Sequence, residues 1–103
     1  MSADRRRALT LSAKESLILE LLASEPGRYG LQLVASSGRR LKRGTVYVTL
    51  GRMEDKGYVE SRAEPDDPHR SGLPRRLYRM TGLGSKVLEA WEVAMAQLDA
   101  VLA

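Results

Sequence analysis

Cysteine is absent from the 103 residues, and histidine occurs once, at His69. Disulfides, thiolate metal sites and a histidine-based metal cluster are thereby excluded, and no residue set asks for a cofactor or a metal. Long apolar runs are also missing, and Met1-Ser2-Ala3-Asp4-Arg5-Arg6-Arg7 has no apolar segment behind it. Neither a membrane span nor a secretory signal is expected, and the protein is expected to be cytoplasmic. With 43% hydrophobic residues the chain is expected to bury one modest core, which leaves no room for a second, catalytic domain.

What the chain does have is positive charge, a formal +4 with a pI near 9.8. Its distribution is uneven. Residues 82–103 set Lys86 against Glu89, Glu92 and Asp99, so the basic excess lies entirely in the preceding residues. Such asymmetry separates an anion-facing body from an acidic accessory helix, although a solvated basic surface has the same composition.

The stretch Lys42–Gly57 reads as a helix with two incompatible faces. At about 100° per residue, Val46, Leu50 and Met53 fall on one side, whereas Thr45, Val48, Thr49, Arg52 and Lys56 converge on the other. The first face wants a core and the second a partner. A short, basic, hydroxyl-rich outer face suits a helix whose N-terminal half enters a DNA major groove.

Around this helix the chain divides into three parts: a basic arm over 1–11, a body over 12–81 and a last helix over 82–103. Ser12-Ala13-Lys14-Glu15 has the spacing of a capping box and starts a helix that ends near Ser24, with Leu17, Ile18, Leu21 and Leu22 as its core stripe. Arg28-Tyr29-Gly30 is expected to open a second helix with Leu31, Leu33 and Val34 inside, closed by Ser36-Ser37-Gly38. Leu41 is placed in a very short strand. Two helices joined by a tight turn, the later one polar outside, make a helix-turn-helix pattern. Gly57 suits a left-handed helix end, and Tyr58–Glu64 and Arg75–Met80 read as two strands flanking the turn-rich stretch 65–74. A hairpin is marginal alone and must pack on the helices, which completes a winged helix-turn-helix: mainly α with a small antiparallel hairpin. Thr81 is expected to cap the last helix, with Gly82 and Gly84 lowering the propensity of its first turn. There Val87, Trp91, Ala94, Leu98 and Val101 form an apolar seam, with Met95 and Leu102 beside it. About 20 residues give roughly 30 Å of helix, more than a small core needs, so a homodimer interface is expected on that seam.

The motifs Tyr29-Gly30, Gly44-Thr45-Val46-Tyr47-Val48-Thr49-Leu50, Arg52–Arg62, Arg75-Arg76-Leu77-Tyr78-Arg79-Met80-Thr81, and Trp91 eight residues before Asp99, taken in this order, resemble the PadR family of bacterial transcriptional regulators, in its small form with a single C-terminal helix. Arg43 departs from the Pro that many relatives carry, placing a positive charge at the tip of the recognition helix. Gly82-Leu83-Gly84 departs from the acidic residue that often follows the Thr, leaving the last helix less well capped. The resemblance implies a homodimeric repressor on a pseudo-palindromic operator, released by a small aromatic effector in the dimer cleft, with Trp91 and Met95 as the first residues to contact it.

Within that reading, Arg52 is the base-reading side chain, since bidentate arginine to guanine is the commonest such contact. Thr45, Val48 and Thr49 are expected at thymine methyls or nearby phosphates, and Arg43 and Lys56 at phosphates. Tyr47 falls toward the shoulder of the core, a packing position from which its hydroxyl reaches a phosphate. The wing offers Arg70, Arg75 and Arg76, with strand alternation dividing Arg76 and Tyr78 from Arg75 and Leu77. No catalytic role is assigned, because Asp66, Asp67 and His69 lie in a turn-rich loop without a second His, a Cys or a buried carboxylate pair. The competing class is a winged-helix protein-interaction module without DNA affinity, distinguished by a salt-independent partner.

Overall fold

The computed structural model describes residues 11–64 and 75–103. Residues 1–10 of the basic arm and the loop with Asp66, Asp67, His69 and Arg70 lie outside those residues, whereas Leu11, the last residue assigned to the arm, is buried in the core. Helix α1, Ala13–Ser24, begins with the expected capping box: the Ser12 hydroxyl accepts from Glu15 N and the Glu15 carboxylate accepts from Ser12 N. Its buried face includes Leu17, Ile18, Leu19 and Leu22, while Leu21 is only half-buried. Leu19 is thus core, which the expected stripe omitted, because α1 is covered on two sides, by the sheet and by the last helix.

The chain turns at Gly27 and enters a two-residue strand β1, Arg28–Tyr29, followed by helix α2, Gly30–Ser36. This corrects the expectation that Arg28 and Tyr29 open the helix. A two-residue strand carries no alternation to read, and its existence depends on a neighbour some fifty residues away in the chain. In α2 Leu33 is fully buried and Leu31 is exposed, so the expected inward set narrows to Leu33 with half-buried Val34. Leu41 is buried in the connection but in no strand. What orders that connection is Ser37, whose buried hydroxyl donates to Val34 O and accepts from Leu41 N at 3.0 Å.

Helix α3, Arg43–Asp55, buries Val46, Leu50 and Met53 as its spacing requires. It ends where Gly57 adopts φ 81°, a conformation that suits glycine. Gly57 N donates to Glu54 O and Tyr58 N to Met53 O, satisfying the last carbonyls. Strands β2, Val59–Ala63, and β3, Arg76–Met80, then pair antiparallel, and β1 adds to the other side of β3. The sheet order is β1-β3-β2, with Arg28 opposite Tyr78 and Ser61 opposite Tyr78 on the other flank. The wing is therefore a three-stranded sheet rather than a bare hairpin. β1 anchors the wing's return strand to the start of α2.

Helix α4, Gly82–Leu102, carries the expected Thr81 cap: the hydroxyl accepts from Gly84 N and also donates to Gly57 O. One residue thus ties the start of α4 to the end of α3. Val87 and Leu88 join the core with Leu17, Ile18 and Tyr58, and Trp91 packs against its edge. Beyond Trp91 the helix leaves the body. No helix among the described residues is long and apolar enough to cross a membrane.

Candidate nucleic-acid interface

Helix α3 presents its second face to solvent. Thr45, Val48 and Arg52 are exposed and Thr49 is half-exposed, along one stripe opposite the buried Val46, Leu50 and Met53. The Thr49 hydroxyl donates to Thr45 O at 3.2 Å, so its outward capacity is a methyl group and lone pairs rather than a donor. Arg52 is exposed and forms no ion pair among the described residues. At the N-terminal end Lys42 supplies no side-chain cap and no acid occupies the first turn. That leaves early amides of α3, with the adjacent Arg43, open to an anionic oxygen.

Tyr47 stands about half-exposed on the shoulder of α3, as its helical angle requires. Its ring lies against the first residue of α2: a Cβ on Gly30 would come within 2.6 Å of Tyr47 Cε1. The Tyr-Gly pair at 29–30 and the tyrosine at 47 are therefore one packing unit. Glycine at 30 leaves the room that the ring occupies.

The wing arginines are held differently. The Arg75 guanidinium sits over the Tyr29 ring, 4.3 Å from its centroid, a cation–π contact that fixes the cation near the start of α2. Arg76 Nε donates to Ser61 Oγ at 3.0 Å, and Ser61 Oγ donates to Glu54 Oε1 at 3.0 Å. This chain of bonds runs from β3 through β2 to the last turn of α3. The expected division of faces holds, since Arg76 lies on the Ser61 side and Arg75 on the Tyr29 side.

Lys56 is placed where its reading as a phosphate contact did not anticipate. Its Nζ lies 2.8 Å from Glu15 Oε2, and the two side chains are 28% and 7% exposed. The ammonium also faces the Tyr58 ring, 5.6 Å from the centroid. A capping-box glutamate is legible in sequence, but its long-range partner 41 residues away is not. Burial pushes the Glu15 carboxyl up, yet the bonds from Lys56 and Ser12 and the lysine charge outweigh it and hold it below the usual 4.5. A depressed carboxyl stabilises the fold above its unfolded pKa, and that stability is lost as pH falls through the folded value. Glu15→Gln is accordingly expected to melt below the unaltered protein at neutral pH. The gap should narrow as pH falls below about 4.5 and close as it passes through the lowered value of the folded carboxyl, which a pH series of thermal melts would check; a gap constant with pH would refute the ionic origin.

The proposed dimer seam divides in two. Val87 is 8% exposed and belongs to the protomer's own core, Trp91 and Met95 are half-buried, and Ala94, Leu98, Val101 and Leu102 are exposed. No group of three His, Cys, Asp or Glu that could hold a metal occurs among the described residues.

The family model for the transcriptional regulator PadR-like family matches residues 18–90. A PadR family transcription regulator from Clostridium difficile R20291 is 28% identical, covered over 88% of this chain and 95% of its own, with a TM-score of 0.72. The PadR-like transcription factor from Bacteroides fragilis superimposes with a TM-score of 0.76 at 20% identity, over 96% of this chain and 92% of its own. PcaV, a transcriptional regulator of Streptomyces coelicolor solved with its natural ligand, gives a TM-score of 0.74 at 24% identity over 89% of this chain. The chain spans 60% of the length of PcaV. No curated protein matches the sequence.

Proposed function

The chain belongs to the PadR-like family of transcriptional regulators, and from that premise we propose that it is a homodimeric repressor that reads a pseudo-palindromic operator through α3. One observation carries the reading. The same helix buries Val46, Leu50 and Met53 while its opposite stripe has Thr45, Val48 and Arg52 exposed and Thr49 half-exposed, with Arg52 in no ion pair among the described residues. Phosphate attraction then comes from Arg43, Arg75, Arg76 and the open start of α3, and base choice from the stripe. Half-sites are expected about one helical turn apart.

Selection of bound sequences from random duplex tests this directly, and a palindrome is expected. Recovery of nothing above background, together with a partner protein bound independently of salt, would favour the interaction-module reading instead. Within the selected operator, Arg52→Ala is expected to cost about 1–3 kcal/mol at one base position and leave random duplex almost unaffected. Arg76→Ala is expected to weaken all sequences alike and to flatten the salt slope by about one. Equal losses on operator and random duplex for Arg52→Ala would remove it from base readout.

We further propose that a flat aromatic effector binds beside Trp91 and Met95, which are half-buried on α4. Trp91 is the chain's single tryptophan, so its emission reports that site alone. A phenolic compound that releases the duplex is expected to quench it. Release without any change in emission would take Trp91 out of the effector site.

A further inference from the structure

The outer stripe of α3 and the first turn of α1 line one groove, and the Glu15–Lys56 ion pair is part of its lining. Lys56 lies one helical turn beyond Arg52 on the same face, within reach of any backbone that Arg52 approaches. Its charge, however, is committed. Glu15 holds it at 2.8 Å, from a carboxylate already fixed by Ser12 N at 2.9 Å, so neither partner is free to swing. Lys14, at the rim of the same groove, is exposed and forms no ion pair among the described residues.

We propose that Glu15 is a specificity-determining positioning residue: by holding Lys56 it withdraws one cation from the phosphate backbone and pins the last turn of α3 against α1. Two consequences follow from electrostatics and geometry. A lysine engaged by a buried carboxylate releases no counterion from DNA, so it adds nothing to the sequence-independent affinity. A pinned helix keeps the Arg52 guanidinium at one height over the base edges, on which bidentate contacts depend. The first lowers affinity for operator and random duplex alike, and the second raises the ratio of operator to random affinity. The inference rests on the duplex-binding reading above.

Glu15→Gln separates these roles, because glutamine still serves a capping box while its neutral amide releases the lysine. For the full-length variant, the salt slope on random duplex is expected to steepen by about one, random affinity to rise about threefold at moderate salt, and the operator-to-random ratio to fall several-fold. The double variant Glu15→Gln, Lys56→Met is expected to return the slope to that of the unaltered protein without restoring the ratio. Lys56→Met alone should leave the slope unchanged and lower operator affinity. A slope that flattens by about one in Lys56→Met would show a direct phosphate contact in the unaltered protein and overturn the inference. A lowered melting temperature in Glu15→Gln with slope and ratio unchanged would overturn it too, leaving a purely structural pair. Failure of the unaltered protein to bind any duplex would overturn both this inference and the function it rests on, whereas binding with an unaltered Glu15→Gln profile overturns this inference alone.

Discussion

Gly84→Ala is expected to destabilise the fold by about 3 kcal/mol, the upper range for overpacking a rigid site, although alanine is normally the better helix former by about 1 kcal/mol. The cause is a close approach of main chains. A Cβ on Gly84 would lie 3.0 Å from Tyr58 C and from Met80 Cγ, and closer still to Tyr58 O. The carbonyl cannot turn aside, because Tyr58 O accepts from Thr81 N at 3.0 Å. Nor can α4 lift away cheaply, since Thr81 caps it and donates to Gly57 O, and Val87 and Leu88 are buried one turn on. Gly51→Ala is the matched control: it lies within α3, and nothing stands within 4 Å of its would-be Cβ. There the ordinary propensity term acts alone, and a gain of about 0.5–1 kcal/mol is expected. Urea unfolding of the two variants beside the unaltered protein reads the contrast. Two shifts of the same sign would show that α4 does not sit against the α3–β2 turn as described.

The glycine pair also shows what a sequence can and cannot disclose. From the residue order alone, Thr81 caps the last helix and Gly82 and Gly84 are only a cost in its propensity. The reason for Gly84 lies in a carbonyl some twenty-six residues earlier in the chain. The two faces of α3, by contrast, are written in a period that one helix imposes by itself, so Val46, Leu50 and Met53 could be assigned without any partner. The capping box at Ser12 and Glu15 and the left-handed end at Gly57 are local for the same reason. Whatever depended on a distant neighbour was illegible: β1 at Arg28–Tyr29, the burial of Leu19 between two elements, and the ion pair of Lys56 with Glu15. Tyr47 lies between these cases. Its angle on the helix predicts a shoulder position, while only the structure brings its ring onto Gly30.

The same separation of local and distant causes governs the expected behaviour of α4. The stripe that buries Gly84, Val87 and Leu88 and half-buries Trp91 and Met95 continues, at helical spacing, to Leu98 and Leu102, which are 47% and 75% exposed. The stripe has outrun the body it packs on, and a second copy in the proposed dimer would cover it. Burying a leucine is worth about 1.5–3 kcal/mol, so two from each protomer are a substantial fraction of a modest dimer's stability. Leu98→Glu is therefore expected to leave the protomer folded, within about 0.5 kcal/mol, because the side chain has few neighbours to lose. It should nevertheless shift the protein to monomer in sedimentation and reduce operator affinity by about 10²–10⁴, the factor lost when two half-sites are no longer bound as one unit. Random duplex, which needs no fixed spacing between two recognition helices, should suffer less. Val87→Glu supplies the contrast, since that charge enters the protomer's own core and should unfold it at any concentration. A Leu98→Glu protein that is monomeric yet holds the operator as tightly as before would sink the dimeric reading, and one that remains dimeric would take Leu98 out of the interface.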